Sequence, residues 1–434
     1  MKTVIQISGA LLLLLWICAC EDMNSLHQED LDKGETVYLG VPDSVKSYPG
    51  NKRARFTWQI NADPRIDRTV IYWNDGAGSV EVPVTRTQPG MMQMETVVDI
   101  PEGGYTFEFV TVDKHDNRSV GVEKYLEIYG ERYIQSLRNR IIRSMFVYRD
   151  AGKPCLRITW EPVDDETVRH TAVTYSEFET LATKSTVVYN EDSETVLYGF
   201  APDSIFVSSV FRPLDGIDDV SAVPRAYYPP ESYPVGLWIF DDADDFTRPN
   251  TGQALTKAGD GFTAVDGPAG STAVRVARGS YFEARHGIAA NGGGTRVNEY
   301  SMMFDYRLVD LNDWYSLLEA NLDQDESDIW IYAAGGQIAC GDIGYSDGGA
   351  VPRDNSYHRI VMTVKLPGDV KFYMDGELVF TASSSLDHPQ RSLDTAGVLL
   401  FADVTGWDAD IDVAAVGIWD KELTAAEVAA IGGR

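Results

Sequence analysis

Cysteine is scarce in this chain. It has four cysteines in 434 residues, and two of them, Cys18 and Cys20, fall near the start. Cys155 and Cys340 remain, far apart in sequence, so a disulfide framework and zinc-type spacing are both excluded. Two buried free thiols are expected instead. Basic residues are also in deficit: 37 Lys and Arg face 66 Asp and Glu, for a formal net charge of -29. So acidic a surface repels phosphate backbones, which sets nucleic acid aside as a partner, and it offers anionic lipid no basic face. Long hydrophobic runs are missing; the apolar stretch Val4–Ile17 is shorter than a confident membrane span needs. Catalytic signatures are missing too. His286, His358 and His388 show no partner arrangement, and no metalloprotease or phosphate-loop motif occurs. A Gly-x-Ser-x-Gly match spans Gly344 to Gly348, but Gly349-Ala350-Val351-Pro352 follows it, where a nucleophile elbow requires a helix. The acidic run Asp323–Asp328 reads as solvated loop charge.

At the N-terminus, a short basic start and the apolar stretch fit a secretory signal peptide over residues 1–19. Ile17-Cys18-Ala19-Cys20 resembles the lipobox of bacterial lipoproteins, which implies a lipid on Cys20 and anchoring by acyl chains. Residues 20–34 are polar and acidic and read as a tether. Glu21-Asp22 resembles the acidic export tag of Bacteroidetes surface lipoproteins, implying an outer-membrane lipoprotein exposed at the cell surface. A periplasm-facing protein is the alternative.

Residues 35–230 contain an internal repeat. Trp58 and Trp160 stand 102 residues apart, as do Trp73 and Tyr175. Short alternating segments separated by turns such as Asp75-Gly76 and Asp116-Asn117 indicate β-sandwiches, one over 35–130 and one over 131–230. A unit of this length with an early core tryptophan resembles a fibronectin type III or immunoglobulin-like domain. The stretches VIYWNDGAGSVEVPV and YTFEFVTVDKHDNRS also resemble a domain of unknown function from Bacteroidetes lipoproteins. Trp58 and Trp160 are expected in the core, and one of the neighbours Tyr72 and Trp73 is expected at the surface. Glu131–Ser136 is expected to make a helical turn between the units, and Tyr227-Tyr228-Pro229-Pro230 to close the second.

The character changes near residue 231. Glycines become dense and short strands dominate. Val370, Phe372 and Met374 alternate with Lys371 and Tyr373, Asp375-Gly376 supplies a two-residue turn, and Glu377–Phe380 returns, so a β-hairpin is expected. Thr424-Ala425-Ala426-Glu427 is a capping box that predicts one late helix, ended by Gly432-Gly433. The opening LWIFDD, the loop HGIAANGGG, the strand YHRIVMTVK before FYMDGE, and the ending DVAAVGIWDKELTAAEVAAIG resemble the laminin-G-like, concanavalin A-like jelly roll. The expected fold is therefore all-β: two tandem immunoglobulin/fibronectin III-like sandwiches, then a jelly roll over 231–434. The pieces 35–230 and 231–434 are each expected to fold alone.

The jelly-roll resemblance implies binding of an oligosaccharide or polysaccharide. Sugar rings present apolar C–H faces that stack on aromatic rings. Trp407 lies in the polar loop TGWDAD; Trp330 and Tyr332 share one face of a strand; Trp314 and Tyr345 complete the candidates. Trp238 and Trp419, on the first and last strands, are expected in the core. The E-x-D-x-x-E strand motif of glycoside hydrolases on this fold is missing, so a non-enzyme is expected. The resemblance also implies a structural calcium ion, with Asp241, Asp408 and Asp412 as candidate ligands. Ala414 stands where that family often has a carboxylate. Three readings follow: a surface lipoprotein that binds glycan with the sandwiches as spacer, a scaffold whose jelly roll binds another surface protein, and a divergent glycoside hydrolase.

Overall fold

The computed structural model describes residues 38–323, 328–341, 344–384 and 391–433. The architecture is all-β, in two compact units. The first holds the chain up to Gln135 together with Pro213–Asp219; the second holds Ser136–Arg212 and the chain from Val220 onward.

The first unit is a sandwich of two antiparallel sheets. One is formed by Asp43–Gly50, Arg53–Ile60 and Met92–Asp99; the other by Gly78–Pro83, Arg68–Trp73, Gly103–Val112 and Val122–Ile128. Alternation decides which residues face inward. Phe56, Trp58, Ile60, Phe107 and Phe109 meet between the sheets, where the Trp58 indole donates to Thr69 Oγ1 at 3.1 Å. Tyr72 and Trp73 are both half-buried: Trp73 packs against this core, and Tyr72 against Val70, Val110 and Val112 on the opposite face. Neither is left fully exposed. Pro213–Asp219 is tied in through Asp218, which accepts from the Asn51 amide at 2.8 Å and pairs with Arg53.

The second unit begins with a sandwich built on the same plan. Thr183–Val188, Val168–Ser176 and Ile205–Phe211 form one sheet with two short strands; Glu194–Tyr198, Lys153–Trp160 and Ile142–Asp150 form the other. Trp160 takes the place of Trp58, its indole donating to Thr195 Oγ1 at 3.0 Å. The repeat of the sequence is thus a repeat of structure, and a threonine hydroxyl satisfies each buried indole, from the facing sheet for Trp58 and from the neighbouring strand of the same sheet for Trp160.

The jelly roll follows. Its eight-stranded sheet runs Phe262–Asp266, Thr272–Val276, Ile411–Trp419, Glu299–Leu308, His358–Lys365, Gly368–Met374 and Glu377–Ser384, with Gly236–Ile239 also paired to Ile411–Trp419. Its seven-stranded sheet runs Thr256–Ala258, Tyr281–Ala284, Val398–Leu400, Trp314–Glu319, Ile329–Tyr332, Gln337–Cys340 and Gly344–Tyr345. The main core lies between them. The expected hairpin is present: Asp375 and Gly376 take φ of 49° and 91°, the left-handed pair a two-residue turn requires. The capping box on Thr424 is also present, opening the helix Ala425–Ile431.

One further core joins the second sandwich to the jelly roll. Phe146, Tyr148 and Cys155 of the sandwich pack with Leu237, Ile239, Met303, Val361, Tyr373, Ala415 and Trp419 from the outer face of the eight-stranded sheet, and with Val428 and Ile431 of the helix. The strand Ile142–Asp150 is therefore apolar on both faces, with Val147 facing its own sandwich and Phe146 and Tyr148 facing the jelly roll. Trp419 is buried as expected, but in this shared core, and its indole donates to Ser232 O at 3.1 Å. Trp238 is in the jelly-roll core. At the centre of the joint, Arg359 makes a two-pronged pair with Asp305 at 2.6 and 2.8 Å. It also donates to Ile431 O at 2.9 Å and lies over the Phe146 ring. The compact unit thus crosses the boundary expected near residue 230. Cys155 and Cys340 are both buried, and neither is in a disulfide.

Candidate functional site

The outer face of the eight-stranded sheet is covered by the sandwich, which directs attention to the outer face of the seven-stranded sheet. In the strand Ile329–Tyr332, Ile329 and Ile331 enter the core, so Trp330 and Tyr332 point outward. The pairing register then sets two outward rows: Ser316, Trp330, Ala339 and Tyr345 across four strands, and Trp314, Tyr332 and Gln337 beside them. The loop 401–410 returns alongside, where Ala409 N donates to Trp314 O at 3.1 Å. That contact lays Trp407 on the cluster.

The five aromatics expected from the sequence therefore meet. Trp314 stacks on Tyr332 with ring centres 4.2 Å apart and on Trp407 at 4.8 Å. Trp330 lies 5.6 Å from Trp407 and meets Tyr345 edge-on at 6.5 Å. Trp314, Tyr332 and Trp407 are half-buried, Tyr345 is 49% exposed and Trp330 only 6%. The Trp330 indole nitrogen is sealed from solvent and has no hydrogen-bond partner.

The loop is held by carboxylates. Asp403 Oδ1 accepts from Thr405 N, from Thr405 Oγ1 and from Trp407 N at 3.2 Å. Asp408 Oδ2 accepts from Gly279 N at 2.7 Å, and Asp410 Oδ1 from Arg278 N at 2.9 Å. Arg278 pairs in turn with Asp313, next to Trp314. Burial pushes the Asp408 carboxyl above the usual aspartate range, against the Gly279 amide that pulls it down.

The three calcium candidates do not gather. Asp241 is exposed after the first strand, and Asp408 holds the Gly279 amide. Asp412 is buried under two guanidiniums: Arg275 donates to it at 2.7 and 3.0 Å, and Arg307 at 3.0 and 2.7 Å. Three of those donors crowd Oδ2 and one takes Oδ1, and a cation there would face two positive charges, so the donor set at Asp412 does not fit calcium. Among the described residues no group of three or more His, Cys, Asp or Glu side chains is placed to hold a metal. Cys20 lies outside the described residues, as does His388.

Ser346, of the Gly-x-Ser-x-Gly match, is 3% exposed; its hydroxyl accepts from Ile338 N and donates to Asp347 O. It fastens a turn. Sequence reasoning missed one carboxylate pair: Glu283 and Glu319 both oppose Leu399, from the strands on either side, and so share a face. They come from distant segments, and only the strand order brings them together. Glu319 and Leu399 are each 1% exposed, whereas Glu283 is half-buried.

Two family matches agree with this architecture. Residues 20–219 match a domain of unknown function, DUF4998, and residues 288–429 match the concanavalin A-like lectin/glucanases superfamily. No curated protein matches the chain. Among solved structures, domain 4 of AbnA, a GH43 extracellular arabinanase from Geobacillus stearothermophilus in complex with arabinotriose, is 18% identical. It aligns over 47% of this chain and 100% of its own, with a TM-score of 0.35. The binding domain of Paraclostridial Mosquitocidal Protein 1 is 14% identical over 46% of this chain and 51% of its own, TM-score 0.34. Trypanosoma rangeli sialidase with the inhibitor DANA is 9% identical over 92% and 85%, TM-score 0.34. The chain spans about half the length of the toxin binding domains it matches. Similarity this low carries no functional argument. The family matches give the chain an N-terminal DUF4998 domain and a C-terminal laminin-G/concanavalin A-like domain.

Proposed function

We propose that this protein is a non-catalytic surface lipoprotein that binds carbohydrate through the aromatic cluster of its jelly roll. The observation that supports this best is convergence: five aromatic rings from three strands and a loop meet on the jelly-roll face that the neighbouring sandwich leaves uncovered. Stacked rings with partly exposed edges suit the C–H faces of sugars. In this reading the sandwiches act as a spacer, and a lipid on Cys20 holds the chain at the outer membrane, facing outward.

The Glu283–Glu319 arrangement favours a second reading, a glycoside hydrolase. Two inter-strand steps separate their backbones by roughly 10 Å, near the spacing of an inverting carboxylate pair. Glu283 is half-buried, but Glu319, at 1% exposed, offers substrate and water no open approach. The test is a glycan array probed with the detergent-solubilised full chain, followed by a reducing-sugar assay on every glycan bound. Binding without sugar release is expected. Release by a clean preparation overturns the non-enzyme reading, and an array with no carbohydrate bound favours a protein-binding scaffold.

A further inference from the structure

We infer that the ligand of the aromatic cluster is an uncharged oligosaccharide, and that the Trp330 indole N–H donates a hydrogen bond to one of its oxygens. This rests on the carbohydrate reading above and narrows it.

The first observation is the unpartnered donor. Trp330 is 6% exposed, and its nitrogen is buried with nothing to accept from it. The other tryptophan indoles followed above are satisfied: Trp58 and Trp160 each reach a threonine hydroxyl, and Trp419 reaches Ser232 O. A buried donor without an acceptor is costly, so native structures leave few of them. The ligand that repairs it must carry an acceptor oxygen. An ammonium group, which aromatic rings and nearby carboxylates otherwise favour, offers only donors and leaves the indole unsatisfied.

The second observation is charge. The segments that carry the rings also carry Asp313, Asp347, Asp403, Asp408 and Asp410. Of the guanidiniums that bond to these segments, Arg278 is paired to Asp313, Arg353 donates to Leu311 O, and Arg391 is 2% exposed. A uronate or sulfate would meet these carboxylates, on a chain of net charge -29, with Arg278 already committed. An uncharged sugar satisfies both conditions at once. Its C–H faces stack, its hydroxyl oxygens accept, and it brings no charge.

Trp330 is covered on its outer side by neighbours that include Trp407, whose loop turns at Gly406 with φ of 90°. A sugar oxygen reaches the indole when the Trp407 ring shifts, so binding changes tryptophan fluorescence.

The experiment is affinity electrophoresis of the full chain in detergent through gels containing xylan, mannan, galactan, β-glucan, polygalacturonate or dextran sulfate, each at low and high sodium chloride. Choline is titrated separately by fluorescence. Retardation by at least one neutral polysaccharide is expected, unchanged within about twofold between the two salt levels. Trp330→Phe keeps a ring and removes the N–H; it should weaken that binding about 3- to 10-fold, the worth of one hydrogen bond. An unchanged thermal midpoint shows that the variant folds. Should Trp330→Phe unfold the protein, quenching of the parent's fluorescence by the neutral glycan supplies the second readout, and its absence counts against the inference. Binding only to polygalacturonate or dextran sulfate, binding to choline alone, or full affinity in folded Trp330→Phe overturns the inference while the rest of the reading is judged separately. No retardation by any polysaccharide overturns the carbohydrate reading itself.

Discussion

Arg359→Met tests whether sandwich and jelly roll are one folded body. The Arg359 side chain is 3% exposed and that of Asp305 0%, so their two-pronged pair is cut off from water. Removing one partner of such a pair leaves the other's charge buried, at about 3–5 kcal/mol. The lost bond to Ile431 O adds about 1 kcal/mol. A loss of about 4–6 kcal/mol, at roughly 2 °C per kcal/mol for a unit of this size, lowers the melting transition of the second unit by about 8–12 °C. Replacing both residues, Asp305→Leu with Arg359→Met, should recover most of the loss, because well-packed apolar pairs substitute for buried ion pairs at little cost. Calorimetry of parent, single and double variants is the assay. A single variant that loses under about 1 kcal/mol, or a double variant no better than the single, refutes the reasoning.

Other outcomes follow from the same structure. Residues 231–434 alone should bind a hydrophobic dye and self-associate, because Leu237, Met303, Val361, Tyr373 and Trp419 lose their cover, whereas 136–434 should remain monomeric; light scattering decides, and a monodisperse, dye-silent 231–434 contradicts the shared core. His358 sits between Asp375 and Asp354 at 2.7 and 2.9 Å, and the bond to Asp375 raises its pKa above the ordinary 6.5. Its contribution to stability is therefore complete below about 6.5 and lost as pH rises through the folded value. The parent should lose more stability than His358→Gln on the alkaline side of 6.5, and parallel pH profiles there would count against the clamp. His286 has the opposite sign: burial lowers its pKa, so its effect falls on the acid side and leaves that comparison clean. Cys20→Ala should move the protein from the membrane to the soluble fraction with an unchanged melting curve; a variant that stays membrane-bound contradicts the anchor.

Local chemistry made much of this fold legible. The Asp375-Gly376 turn and the capping box at Thr424 depend on neighbours a few residues away, and the paired tryptophans on a spacing of 102 residues that repeats; each is where the sequence puts it. The aromatic cluster was half legible. Alternation places Trp330 and Tyr332 on one face, but the stacking of Trp314 between Tyr332 and Trp407 depends on strand register and on a loop from far along the chain. The joint between sandwich and jelly roll was not read, although it left a mark. Met145-Phe146-Val147-Tyr148 is an unbroken apolar run in a strand that a sandwich alone would bury on one face, and such runs signal cover on both. Asp412 shows the limit of reading ligands by type. An aspartate near a family's metal position can serve cations of the protein itself, here Arg275 and Arg307.

The most direct test of the central claim is the affinity of Trp407→Ala for a neutral glycan that binds the parent, measured by titration calorimetry. Trp407 joins the cluster from the loop, stacked on Trp314 and close to Trp330. Losing a stacking ring removes about 0.5–1.5 kcal/mol beyond the area it buries. The account predicts at least a several-fold rise in Kd with the melting temperature held. An unchanged Kd in a folded variant would contradict it.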